Sequence, residues 1–355
     1  YAPSGQLKDV VSSTSGGVNV GFRYDDLNRL AYVDDASGLP PPATARTTSY
    51  TYNANGSLAT VLAPNGVQHA YAYDTLNRLR TLGVTRDATT LRAYIHAHRA
   101  SGHRRQLLES SGRTADYAYD DLYRLTRETI TGDPSGQNGV VGYDLDDVGN
   151  RLGRTSSLPA LAAQFGRTYN ARDWLGGDTY DKNGNTTTGL LSAGVTNTDV
   201  YDFENRLILR SKADGSTINL AYDADGNRLQ KTILNAAAQV LATARYLVDT
   251  NNHTGYAQVL EETKTDATGT TFKTYTYGSD LISRATSLNG QPSVLSYYVY
   301  DGLGSVRALT NASGAITDSY SYDAFGVLVS RTGTSDNAYL YRGEQWDPDL
   351  GLYYN

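Results

Sequence analysis

The 355 residues include no cysteine and no methionine. Without cysteine there can be no disulfide scaffold, no thiol nucleophile and no zinc site built on cysteine ligands. Without methionine the chain is expected to be a segment of something longer. No apolar run approaches the roughly 20 residues that a membrane-spanning helix needs, and no signal-peptide pattern follows Tyr1. Charged residues make up only 19%, the net charge is −6, and no basic stripe is interleaved with aromatics. Both features argue against nucleic acid as the partner. G-x-S-x-G, phosphate-loop and H-E-x-x-H patterns are missing, so no nucleophile elbow, nucleotide cradle or cofactor is expected. Helical periodicity is almost absent too. Residues 232–245 (TILNAAAQVLATAR) form the best helix candidate, yet they fall where a hairpin is due.

What the chain has in abundance is tyrosine, 29 residues against 5 Phe and 2 Trp, together with 35 glycines. The tyrosines recur in one sentence that the chain keeps rewriting. Tyr73-Asp74-Thr75-Leu76-Asn77-Arg78-Leu79 is echoed at Tyr24-Asp25, Tyr119-Asp120, Tyr201-Asp202 and Tyr222-Asp223, each ending in Arg-Leu. Looser copies begin at Tyr52, Tyr143, Tyr169 and Tyr180. The steps 52→73, 180→201 and 201→222 are each 21 residues, a period that marks a stacked repeat architecture. Tyr71 and Tyr73 alternate with Ala70 and Ala72, which puts both rings on one strand face. The Asp that follows bonds to its own backbone, and Asn tolerates the left-handed region, so the next residues are a turn. Asn55-Gly56, Asn183-Gly184 and Asp225-Gly226 are the strongest hairpin signals. The spacing therefore predicts an all-β fold: a strip of antiparallel hairpins about 21 residues apart. Equivalent tyrosines are expected to stack across strands, each pair contributing roughly 0.2–1 kcal/mol.

Insertions are expected at 34–46, around Pro40-Pro41-Pro42, and at 158–164, because proline is confined to edges and connections. Tyr1 to Val10 reads as the return half of a repeat, and residues 92–113 as a degenerate copy. The Asp223-Ala224-Asp225-Gly226-Asn227 run has its glycine too early for a calcium loop and no Glu at the twelfth position. A hairpin turn explains it. His96, His98 and His103 suggest a three-histidine metal site, but Arg92, Arg99, Arg104 and Arg105 oppose a cation, so a solvated basic patch is the better reading. No metal site is assigned. The tyrosine ladder offers faces on which sugars stack, against the alternative that the rings are core.

From Val294 onward the character changes. Residues 297–309 read YYVYDGLGSVRAL, Tyr322-Asp323-Ala324-Phe325-Gly326 follows, and residues 339–354 read YLYRGEQWDPDLGLYY. This succession, after a dozen Tyr-Asp copies, resembles the Rhs/YD-repeat family over essentially the whole chain. That family includes bacterial Rhs proteins, the C subunits of insecticidal Tc toxins and the teneurins. The division implied is 1–293 for the repeats and 294–355 for a truncated repeat-associated core.

The resemblance implies a β-strip spiralling into a hollow shell or barrel-like solenoid. In bacterial members the shell holds a C-terminal toxin, cut free by an internal aspartic protease. The position heading the D-x-x-GLYY motif is Asp347, with Asp349 as the second choice; its partner carboxylate would lie downstream of Asn355. Trp346 stands where Tc members often have arginine. The other reading of Asp347 is a turn that opens the last strand. The resemblance thus implies a bacterial, secreted or cell-surface shell segment, with the toxin as cargo in cis and neighbouring subunits or secretion machinery as partners. Three functions follow in outline: encapsulation of an effector, adhesion to cells or glycans through the tyrosine-rich sheet, and self-cleavage by Asp347.

Overall fold

The computed structural model describes residues 5–38, 45–191 and 195–354. The prolines at 40–42, the first residues of the Tyr1 half-repeat and the side chains of 190–195 lie outside the described residues. The fold is all-β and antiparallel, and nearly every strand pairs with the one before it and the one after it. The only helical element among the described residues is a short 3-10 turn, Tyr341–Gly343. No helix among them is long and apolar enough to cross a membrane. Residues 232–245 fold as two strands, Arg228–Leu234 and Val240–Asp249, around a turn in which Asn235 accepts the backbone N–H groups of Ala237 and Gln239. Strand pairing on both sides overrides the alanine-rich composition.

The chain divides into two compact units. The first comprises residues 1–46, 170–295 and 347–352; the second, residues 47–169, 296–346 and 353–355. In the second unit two runs of hairpins face one core. Val67, Leu82, Val84, Tyr94, Leu107, Ile130 and Val141 come from the first run, and Val299, Ala308 and Val329 from the second. Leu158 and Leu161, in the 158–164 insertion, are buried in the same cluster, so this loop is a lid on the core rather than a surface excursion. In the first unit a smaller cluster joins Ile218 and Leu220 to Leu350, with Leu207 and Tyr222 packed against it.

Each repeat builds its turn in the same way. Asp74 Oδ1 accepts the backbone N–H groups of Leu76 and Arg78, and Oδ2 accepts Nε of Arg78 at 2.7 Å. Asp25, Asp120 and Asp202 repeat this with Arg29, Arg124 and Arg206. These bonds hold Asp74 down to about 2. Asn28, Asn77 and Asn205 occupy the left-handed region at φ 61°, 58° and 64°, a conformation asparagine tolerates better than most residues. A β-bulge then closes the pair: Tyr73 lies opposite Leu79 while Ala72 lies opposite Thr81, leaving Arg80 extra.

Candidate functional site

Five of the repeat tyrosines spend their hydroxyls on the backbone of the neighbouring strand. The ring of Tyr73 reaches over the neighbouring strand, and its hydroxyl donates to the carbonyl of Leu58 at 3.0 Å. Tyr119 does this to Arg104, Tyr201 to Thr186, Tyr222 to Leu207 and Tyr322 to Val306, at 2.8–3.1 Å. Four of these five partners lie 15 residues back; for Tyr322 the step is 16. In every case the acceptor is the first residue of the preceding hairpin's outgoing strand. In these five copies the tyrosine thus ties a hairpin to the one before it. Tyr24, in the first copy, and Tyr143 are exceptions: each hydroxyl is buried with no hydrogen-bond partner among the described residues.

Within the first unit, the segment 347–352 is pinned to the repeat strands by charge. Asp347 is 3% exposed. Its Oδ2 accepts Nη1 of Arg228 at 2.8 Å and its Oδ1 accepts Nζ of Lys231 at 2.8 Å. Lys231 also donates to Asp349 Oδ2 at 2.7 Å. Asp347 Oδ1 further accepts the backbone N–H groups of Asp349 and Leu350, closing the turn on itself. Arg210, paired with Asp199 through two bonds, donates its Nη1 to the Leu350 carbonyl. Burial works to raise the Asp347 carboxyl, but Lys231 and Arg228 outweigh it and hold it below the usual carboxylate range. The geometry makes Asp347 an ionised anchor that shares the Lys231 ammonium with Asp349. A carboxylate pair sharing one proton, as aspartic-protease chemistry requires, is not assembled from these two residues.

Arg228 reaches Asp347 because its repeat is one residue longer. In YDTLNRL the arginine stands four residues after the Asp and pairs with it; in YDADGNRL, Asn227 takes that place. Arg228 falls one step further along the strand, which flips it to the other face. It is buried while Leu229 is 40% exposed, the reverse of the ordinary pattern. The extra residue was a visible signal of an inward cation.

The second unit holds a polar cluster that sequence reasoning missed. Arg307 donates to both oxygens of Glu109 at 2.8 Å and to Asp301 at 3.2 Å, and Arg113 donates to Glu109 at 2.7 Å. Glu128, 1% exposed, accepts the backbone N–H of Ala324 at 2.8 Å. Burial pushes its carboxyl up to about 7, against the pull of Arg113. Asp323 keeps the repeat's turn bonds to Phe325 and Val327, but Val327 stands where Asp25, Asp74, Asp120, Asp202 and Asp223 have an Arg or Asn that bonds back to the carboxylate. Its Oδ2 is buried with no hydrogen bond, 3.9 Å from Arg154 Nη1, and burial raises its carboxyl as well. His96 departs from the solvated-patch reading, since it is only 7% exposed and faces inward beside Tyr94 on the strand Thr89–His98. His103 stacks on Tyr123 with ring centroids 4.9 Å apart.

No protein-family model matches the chain. It is 31% identical over 344 residues to the tRNA3(Ser)-specific nuclease WapA of Bacillus spizizenii, and 30% identical over 344 residues to the tRNA nuclease WapA of Bacillus subtilis strain 168. Each alignment covers 94% of this chain but 13% of the relative, so the chain spans about an eighth of the curated relatives it matches. Among solved structures, the Photorhabdus luminescens Tc holotoxin pore aligns with 100% of this chain and 19% of its own, at a TM-score of 0.81 and 18% identity. The crystal structure of TcdB2–TccC3 without its hypervariable C-terminal region aligns with 96% of this chain and 18% of its own, at a TM-score of 0.77 and 19% identity. With the Tyr-Asp hairpins and the all-β strip they build, these likenesses identify the chain as a segment of the Rhs/YD-repeat family, with the Rhs-shell fold.

Proposed function

We propose that this segment is part of a wall that encloses and delivers a C-terminal effector, as the resemblance to Rhs proteins implies. The observation that carries the reading is the tyrosine lock. Hairpin is tied to hairpin by a side-chain bond in addition to the strand ladder, which suits a continuous partition. Residues 294–355 are assigned as the repeat-associated core on their motifs. On this reading the segment supplies containment, and any toxic activity of the whole protein resides in another part of it. The setting is bacterial, secreted or cell-surface. Adhesion through sugar stacking is the weaker reading, because the repeat tyrosines lay their rings along neighbouring strands and spend their hydroxyls on backbone carbonyls.

Self-cleavage is assigned no active carboxylate within the segment, and Asp347 is read as the anchor of the last turn. The test is the intact mass and C-terminal sequence of the native full-length product. Two co-migrating fragments support an enclosed, released effector; a single uncut chain sinks that reading. If Asp347→Asn leaves the fold intact yet abolishes the cut, Asp347 is catalytic and the anchor assignment fails.

A further inference from the structure

Independently of containment, the second unit carries a hollow of about 310 Å³ whose polar walls are not satisfied by the protein. It lies between the strands Thr89–His98 and Arg104–Glu109 and the turn at Gly302, and is lined by Leu79, His96, His98, Arg104, Tyr119 and Gly302. The Arg104 guanidinium rests over the Tyr117 ring at 5.0 Å and makes no hydrogen bond or ion pair among the described residues. Nε2 of His96 is buried without a partner, and His98, stacked beside it at 6.4 Å between ring centroids, makes no hydrogen bond there either. Gly302 keeps the wall open, since a Cβ at that position would come within 2.7 Å of His96 Nε2 and 2.5 Å of Leu79.

The nearby carboxylates are already engaged. Asp301 is paired with Arg307 and Asp74 with Arg78. That leaves a half-buried guanidinium and two imidazoles lining one concavity whose wall carries no carboxylate. Partly desolvated cations take planar or tetrahedral oxyanions in charge-assisted bonds, and guanidinium does so with two donors at once. A divalent metal on the His96–His98 pair is disfavoured by the fixed charge of Arg104. We propose that this hollow is a binding site for a small oxyanion, a phosphate or a carboxylate group, held on Arg104 with His96 and His98 as flanking donors.

The charges around the imidazoles give the site a sign with pH. Burial, then Arg104, holds His96 down to about 4, with Asp301 opposing and His98 adding to the effect. Burial, then Arg78, lowers His98, with Asp74 opposing and Arg104 adding. Both rings are neutral at pH 7, and a bound anion favours their protonated forms. Binding therefore takes up protons and tightens as the pH falls toward the range in which His96 titrates, about 4.

Inorganic phosphate and acetate should be titrated into the folded chain by calorimetry, at constant ionic strength set with chloride and in two buffers of different ionisation enthalpy. Saturable binding of either anion with proton uptake is expected, and the tighter of the two identifies the group recognised. Arg104→Gln should weaken it at least tenfold and Arg104→Lys by less, while Arg105→Gln, an exposed neighbouring cation, leaves it unchanged. If Arg104→Gln fails to fold, Arg104→Lys decides. No saturation by either anion, equal losses in the Arg104 and Arg105 variants, or tight zinc binding that phosphate does not affect would each overturn the site.

Discussion

The Tyr222 hydroxyl sits 2.8 Å from the Leu207 carbonyl oxygen, and four other repeat tyrosines hold the equivalent atom. This bond distinguishes two accounts of why the motif needs tyrosine. If rings merely stacked, phenylalanine would serve. Because the hydroxyl caps a backbone carbonyl, Tyr222→Phe should cost about 1 kcal/mol. Urea denaturation of the variant measures it, and a cost near zero would return the motif to ring packing alone.

Asn77 stands at φ 58° in the repeat turn. Asn77→Ala keeps the β-carbon but loses the short polar side chain that makes the left-handed conformation tolerable, a conformation that otherwise costs about 1–2 kcal/mol, so it should destabilise by about 1 kcal/mol, and Asn77→Gly should be close to neutral. Equal losses for the two variants would mean that the side chain, not the backbone conformation, is what the turn requires.

Removing the Asp347 carboxylate takes away the buried anion to which both Arg228 and Lys231 donate. Asp347→Ala should therefore destabilise by about 3–5 kcal/mol, the range seen when one member of a buried pair is deleted. Asp349 is the more exposed of the two acids, with 35% of its side chain accessible, and Asp349→Ala should cost no more than about 1 kcal/mol. Chemical denaturation of the two variants ranks them; the reverse order would remove Asp347 from its place as the anchor.

Glu128 has the opposite pH behaviour to the turn aspartates. Its carboxyl is raised from 4.5 to about 7 by burial, so the folded state holds a proton that the unfolded state has released between those values. Stability from this group is full below about 4.5 and is lost as the pH rises through about 7, by up to roughly 3 kcal/mol. Glu128→Gln should flatten that slope and raise the melting temperature at pH 8 relative to the parent. A variant that keeps the parent's slope would show that Glu128 is ionised throughout.

The acidic residues of the turns behave in the other direction. Asp74 is held down to about 2 by its backbone and Arg78 bonds, and Asp25, Asp120 and Asp202 are lowered in the same kind of turn. Their contribution is present above the unfolded carboxylate range near 3.8 and is lost as the pH falls toward 2. Thermal melts from pH 5 to pH 2 should show progressive loss, and Asp74→Asn should remove part of it.

Much of this architecture was legible in the residues because the determining interactions are local. The turn after Tyr73 is written by Asp74, Asn77 and Arg78, whose bonds span two to four residues. The hairpin at residues 228–249 was signalled by the period even though its alanines suggested a helix. Other features depended on partners the sequence does not pair. The tyrosine hydroxyl needs a carbonyl on the adjacent hairpin, and nothing in Tyr-Asp itself distinguishes that acceptor from a stacked ring.

The sequence by itself determined the strands, the turns and their repeat, since hydrogen-bonding reach along the chain sets them. The tertiary structure alone decided which polar groups are stranded or paired inside. Lys231 and Arg228 meet Asp347 across 116 and 119 residues, Glu128 meets Ala324 across 196, and Arg104 comes to face His96 in a hollow opened by Gly302. Burial sets the charge state of such groups, and burial is a property of what folds over a residue, not of the residues beside it.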